Sequence, residues 1–387
     1  MCRGGPRAPE LSAITRSPLI PAFTLAQLLW VRRHEPAVYR AVAHVLVPKD
    51  WLRLRLTGCL ATDESDASGT AMFDVSQRVW SDTILHALAV DRRWLPEVVG
   101  STERTGELGD LAANELGLPA GLPVFGGAAD QVAQAVATGI TDPGTVGISI
   151  GTSGVVVAAV TTPTDGVFCH ALPDRWLRLN SMHSAGASLS WFLDGFEPGR
   201  SIDDVLAEAA KADWDRPAPV FLPFLDGLRE DAGLAMPAGF VDVSARHGRP
   251  DFVRAILEGV ACELRRMVDA WGEEPGVTAY RVSGGGSRSA LWRQVIADVL
   301  GAPLTATAQT PADGAAMLAA VGLAWWPSIV EATTAATRGS TSTTEPHATG
   351  VARMSAVYRN YLGRMAQLLG PESGSSSLPG LEEPATR

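Results

Sequence analysis

The sequence predicts an α/β fold spread over two to three domains, and three observations point there. At 387 residues the chain exceeds a typical domain of roughly 150 residues. Its composition, 46% hydrophobic and 19% charged, supplies an ample core. Runs rich in β-branched residues end in glycine turns and give way to helix-patterned runs.

Met1 to Pro21 is proline-rich and aperiodic. Thr24 to His34 sets Leu25, Leu28, Leu29 and Trp30 ahead of Arg32 and Arg33, the pattern of a short amphipathic helix. A second helix is expected from Pro48 to Leu56, stopping at Gly58, and the Asp-, Ser- and Gly-rich run Ala61 to Thr70 reads as a loop. Val124 to Gly127 reads as a short buried strand that turns into a helix from Asp130 to Thr138. Thr145 to Val160 is two β-rich runs around Gly151-Thr152-Ser153-Gly154: strand, tight turn, strand. Arg175 to Ser181 continues the β character, and Ser188 to Leu193 and Ile202 to Ala212 are helical.

Phe252 to Trp271 is the most regular helix of the chain. Val253, Ile256, Leu257, Val260, Leu264, Met267, Val268 and Trp271 keep the 3.6-residue period, and Asp251 can cap it after Pro250. A strand at Tyr280 to Ser283, a triple-glycine turn and a helix from Arg288 to Leu300 closed by Gly301 follow. Ala315 to Trp326 is an apolar helix. The uncharged run around it, Gly314 to Val330, is 17 residues long and contains Pro327, so it reads as buried rather than membrane-spanning. The polar tail 370–387 is expected to be disordered, and no repeat of 20 to 50 residues is visible.

Composition narrows the chemistry. The charge balance, 32 basic against 42 acidic residues, gives −10 and disfavours a nucleic-acid or anionic-membrane surface. The only lysines are Lys49 and Lys211, and neither sits on a glycine loop. This excludes a Walker-type loop and a protein-kinase lysine, and all but excludes Schiff-base chemistry. Cys2, Cys59, Cys169 and Cys262 are scattered, so neither a disulfide framework nor a zinc site is indicated. The seven histidines lack metal-ligand spacing and read as structural or surface residues, and the eleven tryptophans read as core or cleft walls. Pro6, Pro9 and Glu10 break any signal-peptide core, which points to a reduced, cytoplasmic protein.

Three constellations could carry chemistry, and each has an ordinary alternative. The Gly151-Thr152-Ser153-Gly154 turn offers backbone N–H groups and two hydroxyls to a phosphate, or is a hairpin turn chosen for its backbone angles. Gly284-Gly285-Gly286-Ser287 joins a strand to a helix and lets a nucleotide approach closely, or is an ordinary crossover turn. Asp130 could take a proton from a substrate hydroxyl at the mouth of a strand–turn–helix unit, or be a helix N-cap.

Taken in order, VFGGAADQVAQAVATGI, GTVGISIGTSG, SGGGSRSALWRQVIADVLGAPL and PADGAAMLAAVG resemble the successive signatures of the FGGY carbohydrate kinases. LLWVRRHEPAVY, VLVPKDWLRLRLTG, ATDESDASGT and FCHALPDRW are similar to xylulokinases in order and spacing, and the resemblance runs from Ser17 to Leu369. It implies an actin-like, ribonuclease H-like two-domain kinase fold, with an incomplete N-terminal sugar-side domain over 1–141 and a nucleotide-side domain over 142–369. It also implies ATP and Mg²⁺ as cofactors, phosphorylation of D-xylulose to D-xylulose 5-phosphate, a small-molecule sugar as substrate, and a second copy of the chain as a candidate partner.

By position, the resemblance makes Asp130 the catalytic base. Gln131 contacts the sugar; Gly151, Thr152 and Ser153 form a phosphate loop; Gly284, Gly285, Gly286, Ser287, Gly314 and Ala315 form the adenosine-side pocket. Three features depart from the family. The family's D-x-G-T/S hairpin and the Met-His segment after it do not occur before Ser17, so the chain is expected to begin inside the first domain. Gln131 stands where xylulokinases carry Asn, and Leu228 where the family's S-G-E-R-x-P stretch carries Glu. Two other readings stay open: a remnant that binds nucleotide or a partner without transferring phosphate, and a kinase for another ketose or polyol such as ribulose or glycerol.

Overall fold

The computed structural model describes residues 8–227, 236–272, 276–337 and 342–369; the expected tail 370–387 and Leu228 lie outside the described residues. Ten elements carry the functional argument: α1 (Pro48–Thr57), α2 (Glu64–Ser68), α3 (Asp130–Thr138), β1 (Thr145–Ile150), β2 (Gly154–Val160), α4 (Gly186–Phe196), α5 (Arg249–Asp269), β3 (Ala279–Ser283), α6 (Ala290–Leu300) and α7 (Pro311–Gly322). The chain divides into two compact units. One comprises Met1–Pro143, Ala159–Leu179 and Gln309–Arg338; the other comprises Gly144–Ala158, Asn180–Ala308 and Gly339–Arg387.

In the first unit the core gathers Leu25, Leu28, Phe73, Trp80, Ile84 and Val167. The Thr24–His34 helix forms over its expected span and buries Leu25 and Leu28. Its Trp30 does not join them: the ring is 56% exposed and stacks on His34. The stretch before it, expected to be aperiodic, holds a helix at Ala8–Thr15, seated by Leu11 in the same core. α1 stops at Gly58, whose φ of 76° is the left-handed conformation that ends helices.

The expected loop Ala61 to Thr70 is instead a short strand, Ala61–Asp63, followed by α2. Its polar composition conceals a cap: the Asp63 carboxylate accepts from the Ser65 and Asp66 N–H groups and starts the helix.

α3 buries Val132, Ala133 and Ala135 to Thr138 and ends at Gly139. α7 lies against it so closely that a Cβ on Gly314 would overlap the Ala133 carbonyl. α7 starts at Pro311, earlier than the apolar pattern predicts, because Thr310 and Asp313 bond each other's ends and set the first turn. It also ends earlier, at Gly322: Leu323, Trp325 and Trp326, expected within the helix, are exposed beyond it. Nor is it the buried helix predicted, since of its residues only Gly314 and Leu318 are buried.

In the second unit the sheet centres on β1. β3 pairs with it in parallel, from Ala279↔Thr145 to Ser283↔Ser149, and β2 pairs antiparallel, closing at Ile150↔Gly154. Val146, Ile148 and Ile150 meet Leu257, Val260 and Leu264 of α5 and Val295 and Ile296 of α6 in one cluster. α5 begins at Arg249, where Asp251 accepts the Gly248 N–H from the third helical position rather than from the cap expected of it. Among the described residues no helix is long and apolar enough to cross a membrane, and Cys59, Cys169 and Cys262 are free thiols.

His170, in the first unit, is fully buried. The Leu172 N–H donates to Nδ1 at 3.1 Å, so Nδ1 carries no proton and Nε2–H faces the Ile140 carbonyl at 3.0 Å. Burial lowers its pKa to about 4. The unfolded ring takes up a proton near pH 6.5, so the stability from the neutral ring is full above that value and lost as pH falls towards 4. Urea denaturation across this window is expected to show a loss on the order of 3 kcal/mol from this group, absent in His170→Gln. At neutral pH, Gly314→Ala is expected to lower the unfolding free energy by about 1–3 kcal/mol by prising α7 from α3, seen as a fall in the urea midpoint.

Candidate functional site

Because β1 and β3 are parallel neighbours, the turns that follow them leave the same end of the sheet, where open α/β sheets hold ligands. Gly284 takes φ 86° and ψ 177°, and a Cβ there would stand 2.6 Å from the Ile150 carbonyl oxygen. Only glycine permits that approach. Gly285 faces open space.

Gly285–Arg288 is a 3₁₀ turn, and α6 begins only at Ala290, capped by Ser289 accepting from Trp292 N–H at 3.2 Å. The helix expected from Arg288 therefore starts two residues later, because Ser289 takes the cap. Ser287 is buried, and its hydroxyl donates to the Gly284 carbonyl at 2.7 Å. The Arg293 guanidinium donates to the Ser287 and Arg288 carbonyls at 2.6 and 3.1 Å, fixing the turn from outside.

The β1–β2 turn is equally constrained. The Gly151 N–H donates to the Ser153 carbonyl at 3.0 Å, so one of the expected donors is spent within the turn. The Gly151 and Thr152 carbonyls accept from Ala185, Gly186 and Ala187 N–H groups at 2.9–3.0 Å, locking the turn to the start of α4. Thr152 is exposed and Ser153 half-buried.

The two turns line one cavity of about 1050 Å³, a size suited to a nucleotide. Of the expected residues it brings together Gly151, Thr152, Gly285 and Gly286. Trp191 and Asp194 of α4 and Arg288 also line it. Their signals were a Trp and an Asp one helical turn apart, and a guanidinium directly after the glycines. Gly314 and Ala315 are not among its lining residues: they belong to α7 of the first unit, with Gly314 against α3 and Ala315 exposed.

Asp130, also in the first unit, opens α3 with an exposed carboxylate whose Oδ1 accepts the Gln131 N–H at 2.7 Å. It is not the N-cap, which is Ala129. Gln131 follows, half-buried. The approach to Asp130 is held on several sides. Gly126 and Gly127 N–H groups donate to the Glu103 and Ser101 carbonyls at 2.8 Å. The Gly126 carbonyl accepts from Lys49 at 3.4 Å and from Arg53, and the Ala129 N–H donates to Ser65 Oγ at 2.8 Å.

Beneath this loop Lys49 Nζ stands 2.8 Å from Asp63 Oδ2, 2.9 Å from Asp50 Oδ1 and 3.3 Å from Asp66 Oδ2. Burial alone would lower the ammonium's pKa, but Asp63, Asp50 and Asp66 outweigh it and hold the pKa above the ordinary lysine value. Asp66 is pushed up to about 6 by burial and by the Asp63 charge. Sequence reasoning missed this cluster, since Lys49 and Asp50 lie on a helix while Asp63 and Asp66 lie in a run read as loop. Among the described residues no group of three or more His, Cys, Asp or Glu side chains is placed to hold a metal ion.

Residues 6–137 match the N-terminal domain, and residues 146–323 the C-terminal domain, of the FGGY family of carbohydrate kinases. A xylulose kinase of Escherichia coli is 39% identical over 330 residues, which is 81% of this chain and 67% of that protein. A xylulose kinase of Lactococcus lactis is 32% identical over 360 residues, 90% of this chain and 72% of the relative. The crystal structure of a xylulose kinase from Rhodospirillum rubrum superposes with a TM-score of 0.83 at 27% identity, covering 93% of this chain and 75% of that one. The chain thus spans about two thirds of the length of the curated relatives it matches. The solved relatives bear out the actin-like α/β kinase fold that the family resemblance implies, and the chain belongs to the FGGY family of carbohydrate kinases.

Proposed function

We propose that the chain is a kinase that transfers the γ-phosphoryl group of ATP to the terminal hydroxyl of D-xylulose, giving D-xylulose 5-phosphate. The observation that carries this reading is the cavity of about 1050 Å³ at the ends of two adjacent parallel strands, floored by glycine turns. A phosphate chain can approach such backbone closely, and no Walker lysine is needed. The choice of sugar rests on the relatives named as xylulose kinases.

In this reading the second unit takes the nucleotide and the first takes the sugar. Gly151, Thr152, Gly285 and Gly286 border the nucleotide directly, with Ser153 beside them. Ser287 and Arg293 hold the turn in shape. Trp191 offers a ring face, and Arg288 a cation beside an anionic ligand. The adenosine-side role of Gly314 and Ala315 rests on family resemblance alone; within the first unit, the packing of Gly314 against Ala133 accounts for the absence of a side chain there.

Asp130 takes the proton as the hydroxyl oxygen attacks the γ-phosphorus and ADP leaves, and Gln131 contacts the sugar. The chemistry asks mainly for positioning and charge neutralisation. Mg²⁺ bound to nucleotide phosphates supplies part of that neutralisation and needs only one or two carboxylates.

A coupled ADP-release assay with D-xylulose tests the reading. Asp130→Asn is expected to lower kcat by about 10²–10⁴-fold while ADP affinity by calorimetry stays unchanged. Gly285→Val, which points into open space, is expected to weaken ATP binding at least about tenfold with an unaltered melting temperature. Equal turnover in the parent chain and Asp130→Asn would overturn the assignment of Asp130.

A further inference from the structure

We infer that Lys49 is a positioning residue that acts on Asp130 through Asp63, Ser65 and the backbone of Ala129. The inference rests on Asp130 being the base and goes beyond it, because none of these three side chains was assigned a part in the reaction.

The connections run in one direction. Asp63 and Asp50 are both buried, and each is paired: Asp63 with Lys49, and Asp50 with both Lys49 and Arg53. A buried carboxylate stays ionised only when paired. The Lys49–Asp63 contact engages Oδ2, and the other oxygen, Oδ1, accepts the Ser65 hydroxyl and the Ser65 N–H. With its proton drawn towards Asp63, Ser65 Oγ turns a lone pair to the Ala129 N–H. Ala129 is the N-cap of α3, and Asp130 is the next residue. The chain of dependence therefore reads Lys49, Asp63, Ser65, Ala129, Asp130.

The same ammonium reaches the other end of the loop. Lys49 Nζ lies 3.4 Å from the Gly126 carbonyl, which Arg53 also bonds. The four-residue segment from Gly126 to Ala129 is thus gripped at its first carbonyl and its last N–H by one charge cluster. Gly127 within it has φ 70° and gives the segment no stiffness of its own. A compact ammonium suits the centre of three carboxylates and a carbonyl better than a planar guanidinium, which bonds along fixed directions. In a chain where lysine is almost wholly replaced by arginine, that geometry gives this position a reason to remain lysine.

The test joins an exchange measurement to kinetics on the full chain. Hydrogen exchange is followed by mass spectrometry in Ser65→Ala, Ser65→Thr, Lys49→Met and Lys49→Arg. Peptides covering 126–131 are expected to lose protection at least about tenfold in Ser65→Ala and Lys49→Met, with peptides covering 284–287 unchanged. Ser65→Thr, which keeps the hydroxyl, is expected to restore it, and Lys49→Arg to restore it only in part.

Ser65→Ala is expected to lower kcat by about ten- to a hundredfold with ATP binding unchanged, and to have no further effect in an Asp130→Asn background. Ser65→Ala leaves the ion cluster intact, so it reports even where Lys49→Met fails to fold. Unchanged exchange at 126–131 in Ser65→Ala would overturn the clamp, as would equal kcat losses with and without Asp130. Lost protection with full turnover in both Ser65→Ala and Asp130→Asn would instead overturn the reading of Asp130 as base.

Discussion

In the second unit, five residues of β3 lie in parallel register on five of β1, and the candidate site depends on that alignment. The register ends with Ser283 opposite Ser149, so the glycine turn after each strand leaves the sheet at the same level. A slip of one residue would send every buried side chain of β3 to the wrong face and carry Gly284 away from the Ile150 carbonyl it abuts. The apolar residues behind the strands enforce the register: Val146, Ile148, Ile150 and Val282 share one cluster with α5 and α6. Hydrophobic packing fixes the strands, the strands fix the turns, and the turns shape the cavity.

The first unit solves a different problem with charge. The loop before Asp130 has little side chain with which to pack, since its residues are two glycines and two alanines. It is held instead by hydrogen bonds: the Gly126 and Gly127 N–H groups donate to backbone carbonyls, and the Gly126 carbonyl and Ala129 N–H engage groups tied to the buried carboxylates. α5 shows the same use of buried charge in a purely structural setting. Arg254 pairs with Glu258 and Arg266 with Glu263 inside the core, and the Tyr361 hydroxyl completes the second pair. Such pairs contribute little net stability for their desolvation cost, but they tolerate few alternative geometries.

The sequence made local structure legible wherever the signal was local. The helices Thr24–His34 and Asp130–Thr138 matched their expected spans because apolar spacing and a terminal Gly139 or basic last turn mark them. The glycine turns were legible for the same reason. Asp63 was not: its side chain starts a helix in a segment whose composition reads as loop. Trp325 and Trp326 misled in the other direction, since apolar character extended a helix that stops at Gly322. The cluster around Lys49 was out of reach because its members come from two helices and a strand that only tertiary contact brings together, and Trp191 and Asp194 became part of the site only through the fold.

The two lysines differ in kind, and that has a use outside catalysis. Lys49 is hemmed in by carboxylates that keep it protonated, and a protonated amine is not a nucleophile. Lys211 is exposed just beyond a helix end. Of the two side-chain amines Lys211 is the more exposed and the one outside a carboxylate cluster, so an amine-directed fluorophore, surface tether or crosslinker would favour it over Lys49. With arginine supplying nearly all of the positive charge, the protein lends itself to selective conjugation with the cluster beneath Asp130 left intact.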